Sequence, residues 1–495
     1  MVVLLQSAYW SSTIILIPLR FRCRSMKLNC VSKFVIAILF TSSFSSISST
    51  QQTVDILITN GHILTMDSEL TEYTHGFVAI KNNKIIDIGP HSQAKQFTAT
   101  KVLDVDGDLV LPGFINTHTH ASMTLFRSLG DDVDDRLHGY IFPLEKEFVS
   151  REMVYLGAEL GNLEMLKGGV TTYADMYYFE DEVARAVDEI GMRAVLGQTV
   201  IKYPQADAKT AEEGIAYALK FIKKYKNHPR ITPAFAPHGP YTNTTETLQK
   251  IAKLSLAYEV PVLTHLAESK KEQEVIAKRS NGLSPIAYLE SIGALNTNLV
   301  GAHVILANSQ DIALLKKYHV GVAHNMSANI KAAKGVAPIM EMLKQGVDVG
   351  LGTDGPMSGN TISLIDEFSQ VAKVQKLWNK DRSIMPAIDV IKMATMGSAK
   401  VLNQEHKIGS LEVNKLADII VIGTKSANMT PIYNPYSAIV YSAYASDVRH
   451  SIIDGKLLME DRKALTVNED DIIKRANAFS FKVKRALISQ GKPIL

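Results

Sequence analysis

Cysteine is nearly missing from this chain of 495 residues: there are two, Cys23 and Cys30, and both precede residue 50. A mature chain starting near residue 50 would have no disulfide and no thiolate ligand, so any metal must be held by histidine and carboxylate. The first 50 positions also lack any acidic residue while carrying Arg20, Arg22, Arg24, Lys27 and Lys33. Removing those five cations turns the formal charge of +3 into −2 for the remainder, which gives no basis for a nucleic-acid partner. Neither apolar run of this segment, 14–19 or 34–40, approaches the ~20 residues that a spanning helix needs.

From Met26 the chain reads MKLNCVSKFVIAILFTSSFSSISSTQQ: a basic start, a short apolar run, then small polar residues. This is the layout of a secretory signal peptide, with residues 1–25 as an upstream extension. It predicts a periplasmic or secreted protein with no stable membrane association once the signal is removed, and a cytoplasmic one if the segment is not a signal.

What remains is rich in material for a core, with 46% hydrophobic content over the whole chain. Residues 54–111 contain short strand-like runs, VDILITNGHILTMD, GFVAIKNNKIIDIG and KVLDVDGDLVL, with Asn60-Gly61 and Asn82-Asn83 as hairpin signals. A matching pattern returns in ADIIVIG (417–423) and VRHSIIDGKLLMEDRK (448–463), with Asp454-Gly455 as a further turn. The two ends are expected to pair into one small β domain, 54–111 with 410–465. Residues 466–495 read as a surface helix.

Between those ends, eight apolar runs alternate with stretches of helical period: 113–120, 169–176, 193–200, 231–239, 261–268, 299–304, 321–327 and 348–355. Alternation of this kind predicts parallel βα units. The expected fold class is therefore α/β: a distorted (β/α)8 TIM barrel over 112–409, with a small β-sandwich domain formed from both ends of the chain. Most of the eight runs carry His, Asp or Glu near their C-terminal ends, where barrels of this kind gather their chemistry.

The first run, GFINTHTH, places His118 and His120 two apart on an extended segment, so both point to the same side. His265 closes the fifth run and Asp354 the eighth. Alone, Asp354 would read as a helix N-cap; with three imidazoles it completes a suitable set for one Zn²⁺, or Fe²⁺, that leaves a position for water. Glu268, three residues past His265, suits a proton shuttle, and His303 at the sixth run a group that polarises water or substrate. The fourth run ends in Pro237-His238-Gly239-Pro240 with no lysine to bridge a second ion, so a single divalent metal is expected, leaving His238 free for substrate. The basic stretch 220–228 fits the solvated face of a helix.

PGFINTHTHASMTLFR, LTHLAES, GAHV, GVAHN and GLGTDG, in this order inside a strand-bounded β domain, resemble the amidohydrolase superfamily. The likeness is greatest to its aminohydrolase branch containing methylthioadenosine/S-adenosylhomocysteine deaminases, and it extends to the related triazine hydrolases. The resemblance implies His118, His120, His265 and Asp354 as metal ligands, Glu268 as proton shuttle and His303 beside the nucleophilic water. It further implies Glu145, in FPLEKEF, as a ribose-binding residue and His238, in APHGPYT, as a substrate-binding one. The implied reaction is hydrolytic release of ammonia from an amino-substituted purine or nucleoside, a small heterocyclic partner; homo-oligomerisation stays open. Guanine, pterin and triazine hydrolysis are the neighbouring alternatives, and a catalytically inactive binding protein is the alternative of another class. Two departures bear on the substrate. The loop 201–209 has Lys202 and Lys209 where members acting on S-adenosylhomocysteine have arginines, and HNMSANIK (324–331) lacks the proline usual after HN.

Overall fold

The computed structural model describes residues 51–133 and 136–491; the proposed signal segment lies outside them. Two sheets organise the chain. The first has nine strands: β1 (Gln52–Leu64), β2 (Glu72–Lys81), β3 (Lys84–Pro90), β4 (Phe97–Asp104) and β5 (Leu109–Pro112) from the front, and β14 (Ile419–Ile422), β15 (Val448–Ile453), β16 (Lys456–Glu460) and β17 (Lys463–Ala464) from the back. The two ends join where β14 runs antiparallel to β5, Ile420 opposite Leu111. Period-two alternation along β1 explains the packing: Ile56 and Ile58 enter one apolar cluster while Leu57, between them, enters another.

The turns expected at Asn82-Asn83 and Asp454-Gly455 are hairpin turns, and at the second both residues take the positive φ (51° and 73°) that a tight two-residue turn requires. Asn60-Gly61 is different. Asn60 does adopt φ 59°, but the chain does not reverse there; β1 runs straight on, and the pair forms an irregularity in its register with β2. The same left-handed preference serves a bulge as well as a turn. Here the following residues find partners, His62 and Ile63 with β5 and Leu64 with Glu72, so continuing the strand wins.

The second sheet contains the eight expected runs as eight parallel strands in sequence order: β6 (Phe114–Thr119), β7 (Val170–Tyr177), β8 (Arg193–Val200), β9 (Ile231–Pro237), β10 (Val262–Leu266), β11 (Leu299–His303), β12 (Gly321–His324) and β13 (Val349–Leu351). Because strands in such a barrel are buried on both faces, they read as continuous apolar runs. Phe114 and Ile115 show the division of labour. Ile115 points into the barrel with Ala174, Val195, Ala234, Leu263 and Ala302, while Phe114 faces outward and meets Phe368 edge-on at 5.0 Å.

Closure comes from the polar ends of β6 and β13. The amides of Thr353 and Asp354 donate to the His118 carbonyl at 3.1 and 3.0 Å, and the Thr117 hydroxyl donates to the Leu351 carbonyl at 2.9 Å. Gly352 is required at this seam, since a Cβ there would lie 2.2 Å from Asn325 Oδ1. A helix, Glu469–Ser489, ends the described chain and buries Ile472, Ala476, Val483 and Leu487. Among the described residues no helix is long and apolar enough to cross a membrane.

At the opposite end of the barrel Arg193, the first residue of β8, is buried against Asp418 (2.8 and 3.1 Å) and Asp454 (3.2 Å), joining the barrel base to the nine-stranded sheet. Removing one member of such a group leaves buried charge without a partner, which costs about 3–5 kcal/mol. Arg193→Met is therefore expected to lower the free energy of unfolding by about that amount in urea titrations; a loss under about 1 kcal/mol would show the group to be a surface-type pair.

Candidate metal centre

The C-terminal ends of β6, β10, β11 and β13 bring His118, His120, His265, His303 and Asp354 to one place. Ligand atoms of His118, His265, His303 and Asp354 all lie within 4.8 Å of one another. His120 joins them, its Nε2 being 3.2 Å from Asp354 Oδ1 and 3.3 Å from His265 Nε2. Asp354 also faces His118 Nε2 at 3.7 Å and His303 Nε2 at 3.9 Å. His303 and Asp354 reach these positions with φ of 74° and 60°, a backbone region that non-glycine residues seldom occupy and that recurs at functional sites.

Backbone carbonyls decide which nitrogen faces inward. His120 Nδ1 lies 2.6 Å from the Met176 carbonyl and His265 Nδ1 lies 2.7 Å from the His238 carbonyl. A carbonyl only accepts, so each Nδ1 carries hydrogen and donates it, and each Nε2 is left for the centre. His118 Nε2 and His303 Nε2 are buried without a hydrogen-bond partner. Buried ring nitrogens without partners are costly unless something fills the space between them.

The electrostatics say what that should be. Burial disfavours charge on His118 and holds it down to about 4, and burial with the neighbouring imidazoles holds His265 well below its ordinary value. Burial also opposes charge on His120, yet the hydrogen bond and attraction to Asp354 outweigh it and raise this ring to about 9. Burial would raise the Asp354 carboxyl, but the His118 and His120 rings that face it, with the charge of the neighbouring imidazoles, hold it well below the carboxylate range. A buried carboxylate beside His118 and His265, both held neutral, and His120, drawn towards a proton, marks a place that favours positive charge. The donor set, three imidazole nitrogens from His118, His120 and His265 with the Asp354 carboxylate, fits a divalent cation.

Around this centre stand the other expected residues. Glu268 is mostly buried, with Oε1 3.7 Å from His303 Nε2 and paired with the Lys334 ammonium. Burial raises its carboxyl; His303 and Lys334 more than offset this and keep it below its usual value. The turn that carries Glu268 is fixed by Glu272, whose carboxylate accepts from the amides of Ala267 (3.1 Å) and Glu268 (2.8 Å). His238 packs its ring 4.7 Å from that of His265, and burial pushes it down to about 4, so it is neutral. Glu145, on the helix Phe142–Phe148, accepts a hydrogen bond from the Tyr177 hydroxyl at 2.9 Å, and burial pushes its carboxyl up to about 7. All eight residues named from the sequence therefore stand at one end of the barrel.

Three contributors were not singled out: Tyr177, Lys334 and Asn329, the last accepting from His303 Nδ1 at 2.8 Å. Tyr177 closes a barrel strand and could have been noticed on that ground. Lys334 and Asn329 follow β12 and have no sequence signal of their own beyond lying after GVAHN.

Residues 109–458 match the amidohydrolase family. A 5-methylthioadenosine/S-adenosylhomocysteine deaminase of Syntrophobacter fumaroxidans is 41% identical over 433 residues, 87% of this chain and 98% of that protein. A 5'-deoxyadenosine deaminase of Methanobrevibacter smithii is 38% identical over 416 residues, 83% of this chain and 94% of its own. Among solved structures, an adenosine deaminase from Xanthomonas campestris with bound zinc superposes with a TM-score of 0.86 at 28% identity, covering 88% of this chain and 99% of that one.

Metal analysis of the purified chain is expected to return one divalent ion per chain. Stripping that ion should lower thermal stability and restoring it should recover the loss, since a ligand at a thousand times its Kd adds about 4 kcal/mol to the folded state. Two tightly held ions per chain, or a melting temperature indifferent to metal, would contradict the geometry.

Proposed function

The chain belongs to the amidohydrolase family, and from that premise we propose that it is a metal-dependent hydrolytic deaminase of adenosine-type nucleosides, 5'-methylthioadenosine, S-adenosylhomocysteine or adenosine, with ammonia as product. The observation that carries this reading is the ring of inward-facing imidazole nitrogens about Asp354, with Glu268 and His303 on its open side. His118, His120, His265 and Asp354 would hold the ion, zinc ahead of iron. A divalent cation held there supplies a nucleophile at neutral pH by lowering the pKa of water.

The chain's own groups account for the proton movements. Asp354 accepts the proton of the attacking water, and His303, 3.9 Å away, orients that water. Glu268 donates a proton to the ring nitrogen beside the carbon that bears the amine, which removes the aromatic penalty for attack. The proton held by Asp354 passes to the amine, which leaves as ammonia, and the hydroxyl proton of the collapsing intermediate returns to Glu268 as the ring carbon becomes a carbonyl. Beyond the base, Glu145 takes ribose hydroxyls, for which Tyr177 holds it in place, and His238 donates or accepts at the purine edge.

The arginines expected for an amino-acid tail are missing from 201–209, and Lys202 is engaged locally, with Nζ 3.4 Å from the Tyr241 carbonyl and 5.1 Å from the Tyr203 ring. Short 5' substituents therefore suit the site better than a homocysteine tail. The catalytic barrel is taken as 112–409, flanked by the two parts of the small β domain, 54–111 and 410–465. Export rests on the leader before residue 50 and on nothing in the barrel.

Ammonia release from adenosine, methylthioadenosine, S-adenosylhomocysteine, guanine and pterins tests the reading. Turnover is expected on the adenosines, fastest on those with a short 5' group; activity confined to pterins or triazines would overturn the adenosine assignment and leave the hydrolase site intact. Glu268→Gln should retain metal and lose at least about 10²-fold in kcat, while loss of metal would make Glu268 a ligand.

A further inference from the structure

The segment HNMSANIK, which departs from its family's pattern at Met326, lies directly behind His303. β12 ends at His324, and after Asn325 the chain turns into the helix Met326–Lys331. The Asn329 amide donates to the Asn325 carbonyl at 3.0 Å, and this turn swings the Asn329 side chain back over the barrel end. Asn325, Asn329 and His303 are all buried, with exposures of 0%, 0% and 1%. At that depth a misdirected hydrogen has no water to turn to.

Two amides approach His303 Nδ1. Asn329 Oδ1 is 2.8 Å away and Asn325 Nδ2 is 3.4 Å away. The nitrogen has either one hydrogen or one lone pair, so only one contact can be a real bond. The shorter is of ordinary length and the longer lies outside the usual range. A lone pair on Nδ1 would set two acceptors against each other at 2.8 Å, so the hydrogen belongs on Nδ1. On the other side of the ring, the carboxylates of Glu268 and Asp354 are 3.7 and 3.9 Å from Nε2, beyond hydrogen-bond length, and Nε2 has no partner.

We propose that Asn329 is a positioning residue whose side-chain carbonyl holds His303 in the Nδ1–H tautomer, so that Nε2 presents a lone pair to the reacting centre. A ring fixed this way accepts a hydrogen bond from the attacking water and so aims the water's remaining lone pair at the substrate. With the opposite tautomer the ring would donate to the water and turn that lone pair away. The second half of this consequence rests on the deaminase reading; the tautomer rests on the buried contact alone.

The test uses the metal-loaded full chain. Asn329→Leu keeps the volume and removes the acceptor, while Asn329→Asp keeps an acceptor. Loss of a partner that orients a group at a metal site typically costs about 10- to 100-fold. Asn329→Leu should therefore lose about that much in kcat, with KM, metal content and melting temperature close to the parent's, and Asn329→Asp should lose less. Parental kcat in Asn329→Leu, or equal losses in both variants, would overturn the proposal. Neutron diffraction on the unaltered metal-loaded protein decides the matter even if the leucine variant does not fold. A deuteron on His303 Nδ1 alone supports the assignment, and one on Nε2 overturns it. If no adenosine is turned over at all, the deaminase reading fails while the neutron result still stands or falls by itself.

Discussion

Everything at the working end of this protein follows from one electrostatic demand: a buried carboxylate, Asp354, is enclosed by imidazoles, two of which, His118 and His303, turn unpartnered nitrogens into the same space. Burying such a group without a positive partner is unfavourable by several kcal/mol. The surrounding backbone nonetheless enforces the arrangement, since the Met176 and His238 carbonyls take the Nδ1 hydrogens of His120 and His265 and turn each Nε2 inward. The rise of His120 to about 9 beside Asp354 shows that the cluster attracts positive charge. A divalent cation meets that demand better than a proton does, because it bonds to several of these donors at once.

The barrel makes this arrangement repeatable. At their C-terminal ends β6 contributes two groups and β10, β11 and β13 one each, and the seam between β6 and β13 places His118 and Asp354 side by side through shared backbone hydrogen bonds. Rigid anchoring sits elsewhere, in the Arg193, Asp418 and Asp454 group at the base. Separating stability at one end from chemistry at the other lets the rim vary. There stand Glu145, His238 and the Lys334 ammonium beside Glu268.

Much of this was legible in the chain because buried parallel strands leave a plain trace. Each of the eight is an apolar run, and His118, His120, His265, His303 and Asp354 stand out as polar residues closing such runs. Glu145 had no such trace: it lies on a short helix outside the barrel, and only likeness to a family pointed to it. Asn329 and Lys334 were not legible, because their importance depends on how the chain turns after β12, and local sequence does not specify which side chain a loop returns to. Asn60-Gly61 failed for a related reason. Its left-handed preference is local, but whether the chain then reverses or continues depends on partners in β2 and β5 far along the sequence.

The account stands on a single cation seated among these particular donors. An anomalous-difference map from crystals of the metal-loaded chain, recorded at the zinc absorption edge, measures that directly. The prediction is one peak within bonding distance of His118, His120 and His265 Nε2 and of the Asp354 carboxylate. A peak elsewhere, or a second one bridged to the first, would contradict it.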